Sequence, residues 1–289
     1  MKEKGKKVVR KSKKRSQAVQ YGIIYVFLIL GAFIFLIPLA WMIVTSLKIP
    51  AQIYTFPPQW IPKPVAWENY PKSLNFFPFF KYLLNTIYLC ILVITGTVIS
   101  CSLVAYGLTQ IRWRGREIIF ILVISMIILP YQVTLIPLYI LYKKVGWIGT
   151  YKPLWVLHFF ATGSFFTFLL RQFFLNIPKE LSDAAKIDGC SELGIYLKIV
   201  LPLSKPALFT VALFVFLRTW NDFLAPLVYL TDMQMYTIGL GLSFFQGIHD
   251  TAFNLLMAAA SMVTIPILIL FFFTQRTFVE GITLTGLKG

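Results

Sequence analysis

Residues 16–47 read SQAVQYGIIYVFLILGAFIFLIPLAWMIVTSL, without a single charged side chain. The hydrocarbon core of a bilayer is about 30 Å thick, so a helix needs about 20 predominantly apolar residues to cross it. A secretory leader has a shorter apolar core, about 7–15 residues, ending at a small-residue cleavage site. The run at 21–47 is longer and ends in bulky residues, so it reads as a retained membrane anchor. Within lipid the backbone finds no outside hydrogen-bond partner, and a lone span must therefore be helical.

Upstream of this run lies a basic flank. Nine of the 27 Lys and Arg residues fall within residues 2–15, which accounts for much of the net charge of +16. In a soluble protein such a charge would point to nucleic acid. Beside an apolar span it is the topogenic signal that holds the flank in the cytosol, and it can also touch anionic lipid. Downstream, five more stretches qualify or nearly qualify as spans: 82–108, 118–142, 153–170, 206–229 and 254–275. The fourth span is the shortest, and the fifth is interrupted by Arg218 and Asp222. Charged residues make up 13% of the chain and hydrophobic ones 58%. A soluble domain carries about 25% charge, so a water-solvated globule is excluded.

Orientation follows from the cations. With the N-terminus inside, the cytosolic segments hold the nine flank cations, Arg112, Arg114, Arg116, Arg171, Lys179, Lys186, Lys198, Lys205, Arg276 and Lys288, nineteen in all. The outer segments hold seven: Lys48, Lys63, Lys72, Lys81, Lys143, Lys144 and Lys152. Both termini are then expected in the cytosol.

Two long segments separate spans. The outer one, 48–81, carries Pro50, Pro57, Pro58, Pro62, Pro64, Pro71 and Pro78. Proline withholds N–H groups and favours extended or turn backbone, so this is a stiff loop, with Trp60, Trp67 and Tyr70 suited to the membrane interface. The inner one, 171–205, reads RQFFLNIPKELSDAAKIDGCSELGIYLKIVLPLSK. Pro178 is placed to open a helix at its first position, with Glu180 at the positive end of the helix dipole. Leu181, Ala184, Ala185 and Asp188 share one face at helical spacing. Gly189 is the expected left-handed stop, Ser191 the cap of a second helix with Glu192 in its first turn, and Pro202 its close. So short a helix is marginal alone in water. Either a partner docks on it, with Ala184 and Ala185 allowing close approach, or it lies as an amphipathic linker on its own membrane domain.

At this loop the chain resembles a known family. DAAKIDG followed by LKIVLP is similar to the EAA motif of binding-protein-dependent ABC importer permeases, matched at Ala184, Ala185, Asp188, Gly189, Leu201 and Pro202. Asp183 stands where the family usually has Glu, and Cys190 where a small residue is common. FPPQWIPKPVAWENY, AYGLTQIRWRGR, ILPYQVTLIPLY, WNDFLAPLVYL and the terminal TQRTFVEGITLTGLKG resemble the maltose-type carbohydrate branch. The resemblance implies an all-α polytopic protein of six transmembrane helices with a cytosolic coupling-helix loop. The coupling loop it implies comprises Glu180, Asp183, Ala184, Ala185, Asp188, Gly189, Leu201 and Pro202, and inserts into a cleft on a separate ATPase subunit. It also implies a C-terminal tail contact by Gly286, Lys288 and Gly289. The expected partners are a second, similar permease forming a heterodimer, two ATP-binding subunits, an extracytoplasmic solute-binding protein and membrane lipid, with no nucleic acid. The implied location is the bacterial cytoplasmic membrane.

The chain contains no G-x-x-x-x-G-K-[ST] phosphate loop, so ATP and Mg are expected to serve the partner ATPase, with no cofactor and no catalytic residue in this chain. Its expected organisation is a basic cytosolic tail at 1–20, a first transmembrane helix at 21–47 and the outer segment at 48–81. A five-helix core at 82–275 contains the coupling loop, and a cytosolic tail occupies 276–289.

Residues for a translocation path or gate are sparser. Charges within a span are costly and face a cavity or each other. Arg218 and Asp222, four apart, can meet on one helix face, either as a self-neutralising pair or, with Asn221, as part of the path. Trp220 and the Tyr131–Gln132 pair are aromatic candidates for sugar contact. Asn85, Gln132 and Ser164 can bind solute hydroxyls or serve as interhelical glue. His158 has no second ligand at helical spacing and reads as a hydrogen-bonded packing residue, with no metal site expected. Cys90, Cys101 and Cys190 form no disulfide framework. The function expected is translocation of a sugar, oligosaccharide or polyol by alternating access. The competing class, a stand-alone ion- or proton-coupled transporter, needs titratable groups in the membrane, and Asp222, Arg218 and His158 are a thin inventory for it.

Overall fold

The computed structural model describes residues 2–247 and 251–286, with side chains at 20–247 and 251–275. Every regular element in it is a helix. The chain divides into two compact units, Met1–Ser73 with Thr251–Ser261 and Leu74–Asp250 with Met262–Gly289.

In the first unit, α1 (Lys2–Ser46) runs unbroken through Pro38. Its most apolar stretch, within Gln20–Ser46, has no buried residue; Phe27 is 71% and Phe35 86% exposed. Side chains of this kind need lipid or another chain as their solvent. Beyond the helix the proline-rich segment folds back by hydrogen bonds. Ala66 N–H donates to the Leu47 carbonyl at 2.9 Å. Asn69 Nδ2 donates to the carbonyls of Ser46 and Lys48 at 2.8 Å each, and Asn69 Oδ1 accepts from Asn254 Nδ2 at 3.1 Å. Lys48 is buried, which lowers its pKa, and its ammonium sits 4.0 Å from the centre of the Trp41 ring. A helix, α2 (Asn69–Phe76), ends the segment.

The second unit is organised around α3 (Phe79–Thr109), 31 residues long and about 46 Å at 1.5 Å per residue. α4 (Arg116–Ser125) and α5 (Tyr131–Lys144) follow. The short α6 (Lys152–Trp155) continues as a 3-10 turn, Val156–Phe160, before α7 (Ser164–Phe174). The loop at 171–205 holds α8 (Lys179–Ile187) and α9 (Glu192–Ile195), which continues through a π-helical turn, Tyr196–Val200, into α10 (Leu201–Leu203). α11 (Lys205–Trp220), α12 (Leu224–Tyr229), α13 (Ile238–Ser243) and the long α14 (Phe253–Gly286) complete the chain.

One core packs α3 against α7, α9 and α11 through Val93, Cys101, Ala105, Leu170, Phe174, Ile195, Val200, Val211 and Val215. A second, around Leu89, Tyr142, Leu154, Ala225, Tyr229 and Leu230, joins α3, α5, α6 and α12. Small residues permit the closest approaches. A Cβ on Gly241 of α13 would lie 2.5 Å from the Phe77 ring and 2.8 Å from that of Tyr82.

Among the described residues, four helices are long and apolar enough to cross a membrane, Gln20–Ser46, Phe79–Thr109, Lys152–Phe174 and Phe253–Gln275; the count reaches six when each bent pair is one span. The spans expected at 118–142 and 206–229 are not continuous helices. Between α4 and α5 the axis turns by 99°. Pro130 donates no N–H and drives Leu129 into extended backbone, φ −75° and ψ 114°. α11 is 16 residues long, about 24 Å, and meets α10 at 79°. The bend falls at Ser204, with φ −97° and ψ 8°, where Pro206 withholds its N–H from the carbonyl four residues back, although Ser204 still donates to the Val200 carbonyl and accepts from Leu208 N–H at 3.0 Å each. Pro226 withholds its N–H from the Asp222 carbonyl, and the chain breaks at 221–223 before α12. The fourth span turns at Ala161, whose φ is 53°.

Candidate functional site

The loop at 171–205 is built from local signals. Pro178 occupies the cap preceding α8 and not its first helical position, with φ −58° and ψ 129°. Glu180 lies in the first turn and Lys186 in the last, each matching the helix dipole. The stop is a Schellman motif. Cys190 N–H reaches back to the Ala185 carbonyl at 2.9 Å, Gly189 N–H to that of Lys186 at 3.0 Å, and Gly189 adopts φ 77°. Ser191 Oγ accepts the Gly194 N–H at 3.2 Å and caps α9. Pro202 does not close that helix; the bend comes at Ser204, ahead of Pro206.

The face expected to carry Leu181, Ala184, Ala185 and Asp188 together is divided by packing. Ser182 is buried and Ala185 packs against the main core. Leu181, Ala184, Asp188 and Gly189 are exposed, and Ile187 is 87% exposed. Burying an isoleucine side chain is worth roughly 1.5–3 kcal/mol, so α8 presents an apolar knob left uncovered among the described residues. Glu180 and Asp183 are also exposed, flanking that knob with charge. Leu201 packs against the core cluster, and Pro202 is exposed beside it.

Tyr106 on α3 and Gln110, its cap residue, hold this loop. Tyr106 hydroxyl donates to Glu192 Oε2 at 2.7 Å, and Gln110 Nε2 to the Phe174 carbonyl at 2.9 Å. Lys186 Nζ lies 2.7 Å from Glu192 Oε1. This pair is 44% and 45% exposed, and such pairs contribute no more than about 1 kcal/mol. Arg171, at the end of α7, pairs with Glu117 on α4 at 3.1 Å and stacks over Phe120 at 3.6 Å.

The residues expected for a path or gate are distributed around the span breaks. Arg218 and Asp222 form no ion pair, and they do not share a helix face. α11 stops at Trp220, and Asp222 Oδ1 accepts the Ala225 N–H at 3.2 Å, capping α12. The spacing argument fails because α11 ends at Trp220, so Asp222 falls in the break before α12 and outside the register of Arg218. Arg218 and Asn221 are exposed, Trp220 is 3% exposed, and Trp220 Nε1 has no hydrogen-bond partner among the described residues. Gln132 is exposed in the first turn of α5, immediately after the Pro130 break. Tyr131 and Tyr229 lie within electrostatic reach of Asp222, and the Tyr139 and Tyr142 rings pack on Tyr229 at 6.5 and 5.2 Å. Tyr229 was not legible as part of this group, because α12 leaves the register of α11.

Asn85 and His158 tie neighbouring elements together. Asn85 Nδ2 donates to the carbonyls of Gln234 and Tyr236 at 3.0 and 2.9 Å. His158 Nδ1 lies 3.2 Å from Thr97 Oγ1, and its carbonyl accepts from Ser100 at 2.7 Å, fastening the 3-10 turn to α3. Ser164 is buried at the start of α7. The tail residues Lys288 and Gly289 lie outside the described residues. Gly286 ends α14.

Residues 98–283, from the middle of α3 to near the end of α14, match the family described as binding-protein-dependent transport system inner membrane component. The chain belongs to that family. This inner-membrane permease is 34% identical over 286 residues to the trehalose/maltose transport system permease protein of Thermococcus litoralis, covering 95% of this chain and 99% of that one. It is 37% identical over 205 residues to the arabinooligosaccharides transport system permease protein of Halalkalibacterium halodurans, covering 71% and 73%. Among solved structures, the permease superposes with TM-score 0.79 on a chain of a bacterial ABC transporter involved in the import of the acidic polysaccharide alginate. That match covers 91% of this chain and 98% of the other at 22% identity, a likeness of fold. Family membership sets aside the stand-alone secondary transporter.

Proposed function

We propose that this permease carries an oligosaccharide or related polyol across the cytoplasmic membrane by alternating access, driven by separate ATPase subunits. The observation that carries the reading is the end-to-end likeness to the trehalose/maltose permease, 95% of one chain on 99% of the other. The arabinooligosaccharide relative supports the same substrate class. The exposed apolar face of α8 supplies the docking surface for an ATP-binding subunit, and ATP and Mg act there, not on this chain. Two such subunits, a second permease forming a heterodimer and an extracytoplasmic solute-binding protein complete the assembly. Asp222, Arg218, Asn221, Trp220 and Gln132 line the path at the span breaks. Discontinuous helices free backbone and polar side chains at membrane depth, as a solute site requires.

Deleting the gene in the parent organism and measuring uptake of radiolabelled trehalose, maltose and arabino-oligosaccharides tests the reading. Uptake of at least one should fall to background, return on complementation and stop on ATP depletion with the proton gradient intact. Unchanged uptake of all three would overturn the substrate class, and uptake surviving ATP depletion would overturn the drive.

The same reading places both termini inside. Reporter fusions after Lys14, Gly189 and Gly289 are expected to give cytosolic signals, and one at Lys63 an outer signal. A cytosolic flank at Lys14 with an outer signal at Gly289 would sink the six-span topology.

A further inference from the structure

Glu192 stands where three elements meet. Its Oε1 faces Lys186 Nζ on α8 at 2.7 Å, and its Oε2 accepts from the Tyr106 hydroxyl on α3 at 2.7 Å. The same hydroxyl lies 3.2 Å from the Glu192 carbonyl. Lys186 and Tyr106 together hold the Glu192 carboxyl below the usual range, so the bridging form is the ionised one. Tyr106 is the middle member of a stripe on α3. Four residues before it, Ser102 Oγ lies 2.7 Å from the Tyr196 hydroxyl; four residues after it, Gln110 lies beside Ser182 of α8, 3.5 Å away. Residues four apart share a helix face, so one face of α3, continued by its cap residue Gln110, contacts the loop at three successive turns. The central contact is the closest one that reaches α8, through Glu192.

Half-exposed ion pairs add little to stability, and this one is not needed to form α8, which is closed by its own Schellman motif. We infer that Glu192 is a positioning residue, and that the Lys186–Glu192–Tyr106 bridge transmits displacement of α8 to α3 and hence to the membrane-spanning core. The inference rests on the reading of α8 as the ATPase-docking helix. The bridge makes α8 and α3 move as one body.

The test uses the complete transporter in lipid vesicles, with nitroxide labels at Lys179→Cys and Leu103→Cys in a Cys190→Ser background. Their separation is measured by pulsed EPR before and after trapping with Mg-ATP and vanadate. In the otherwise unaltered protein the separation should hold within about 2 Å, the scale of small helix shifts. Glu192→Gln and Tyr106→Phe should each break that constancy on trapping, while ATP-binding subunit still co-purifies at the unaltered level. The double variant should be no worse than the stronger single one, because both remove one link. Glu192→Asp, too short to span both partners, should be intermediate. Constant separation in the single variants would overturn the inference, as would a changing separation without them. Loss of the ATP-binding subunit in the unaltered protein would instead overturn the docking reading.

Discussion

Gly189→Val is expected to reduce ATP-driven uptake roughly tenfold or more while leaving the protein in the membrane at normal abundance. Gly189 has φ 77°, and a Cβ there would meet no atom within 4 Å. The cost is therefore conformational and not steric. A left-handed residue other than glycine costs roughly 1–2 kcal/mol, and a β-branched one sits at the upper end. The cheapest relief is to unwind the Schellman stop, releasing the bonds from Cys190 to Ala185 and from Gly189 to Lys186. That would shift Ile187 and Leu181, the exposed apolar residues of a helix of only nine residues. Recovery of the ATP-binding subunit with the tagged permease, measured beside uptake, checks the mechanism. Gly189→Asn, which tolerates the left-handed region, should retain most of both. Full uptake by the valine variant would remove the stop from the coupling site.

Asp222→Asn is expected to insert and fold normally, and to lower uptake by about tenfold or more. Asparagine caps a helix as well as aspartate does, so the bond to Ala225 N–H survives the exchange and α12 keeps its start. What is lost is the charge. Hydrogen bonds to charged groups are worth about 1.5–3 kcal/mol, and a solute hydroxyl bound by a carboxylate in the path would lose that increment. Asp222→Leu removes both charge and cap, and should lower membrane abundance as well. The absence of an Arg218–Asp222 ion pair changes the expectation for the double variant. Combining Arg218→Met with Asp222→Leu should give no rescue over the single variants, because no shared contact is removed. Uptake normalised to protein in the membrane separates these effects. Near-normal uptake by Asp222→Asn would confine Asp222 to capping.

The all-helical, membrane-spanning architecture was legible because lipid imposes a rule readable one stretch at a time: enough apolar residues, and a helix to satisfy their backbone. The loop around Gly189 was legible for a related reason. Pro178, Glu180, Gly189 and Ser191 act on backbone groups within a few residues of themselves, and the family match then places that loop in a binding-protein-dependent permease.

The span breaks were half legible. Pro130, Pro206 and Pro226 stand in the sequence, but proline in a membrane helix sometimes only kinks it, and hydropathy reports length without direction. Only the tertiary structure shows a turn of 99° after α4 and a cap at Asp222 where a continuous helix face had been expected. The meeting of Tyr106, Glu192 and Lys186 likewise joins residues 86 positions apart. Local composition and spacing fix what each segment becomes, because those forces act along the chain. Which polar groups meet across the bundle depends on where distant helices end and turn, and only the packed structure sets that.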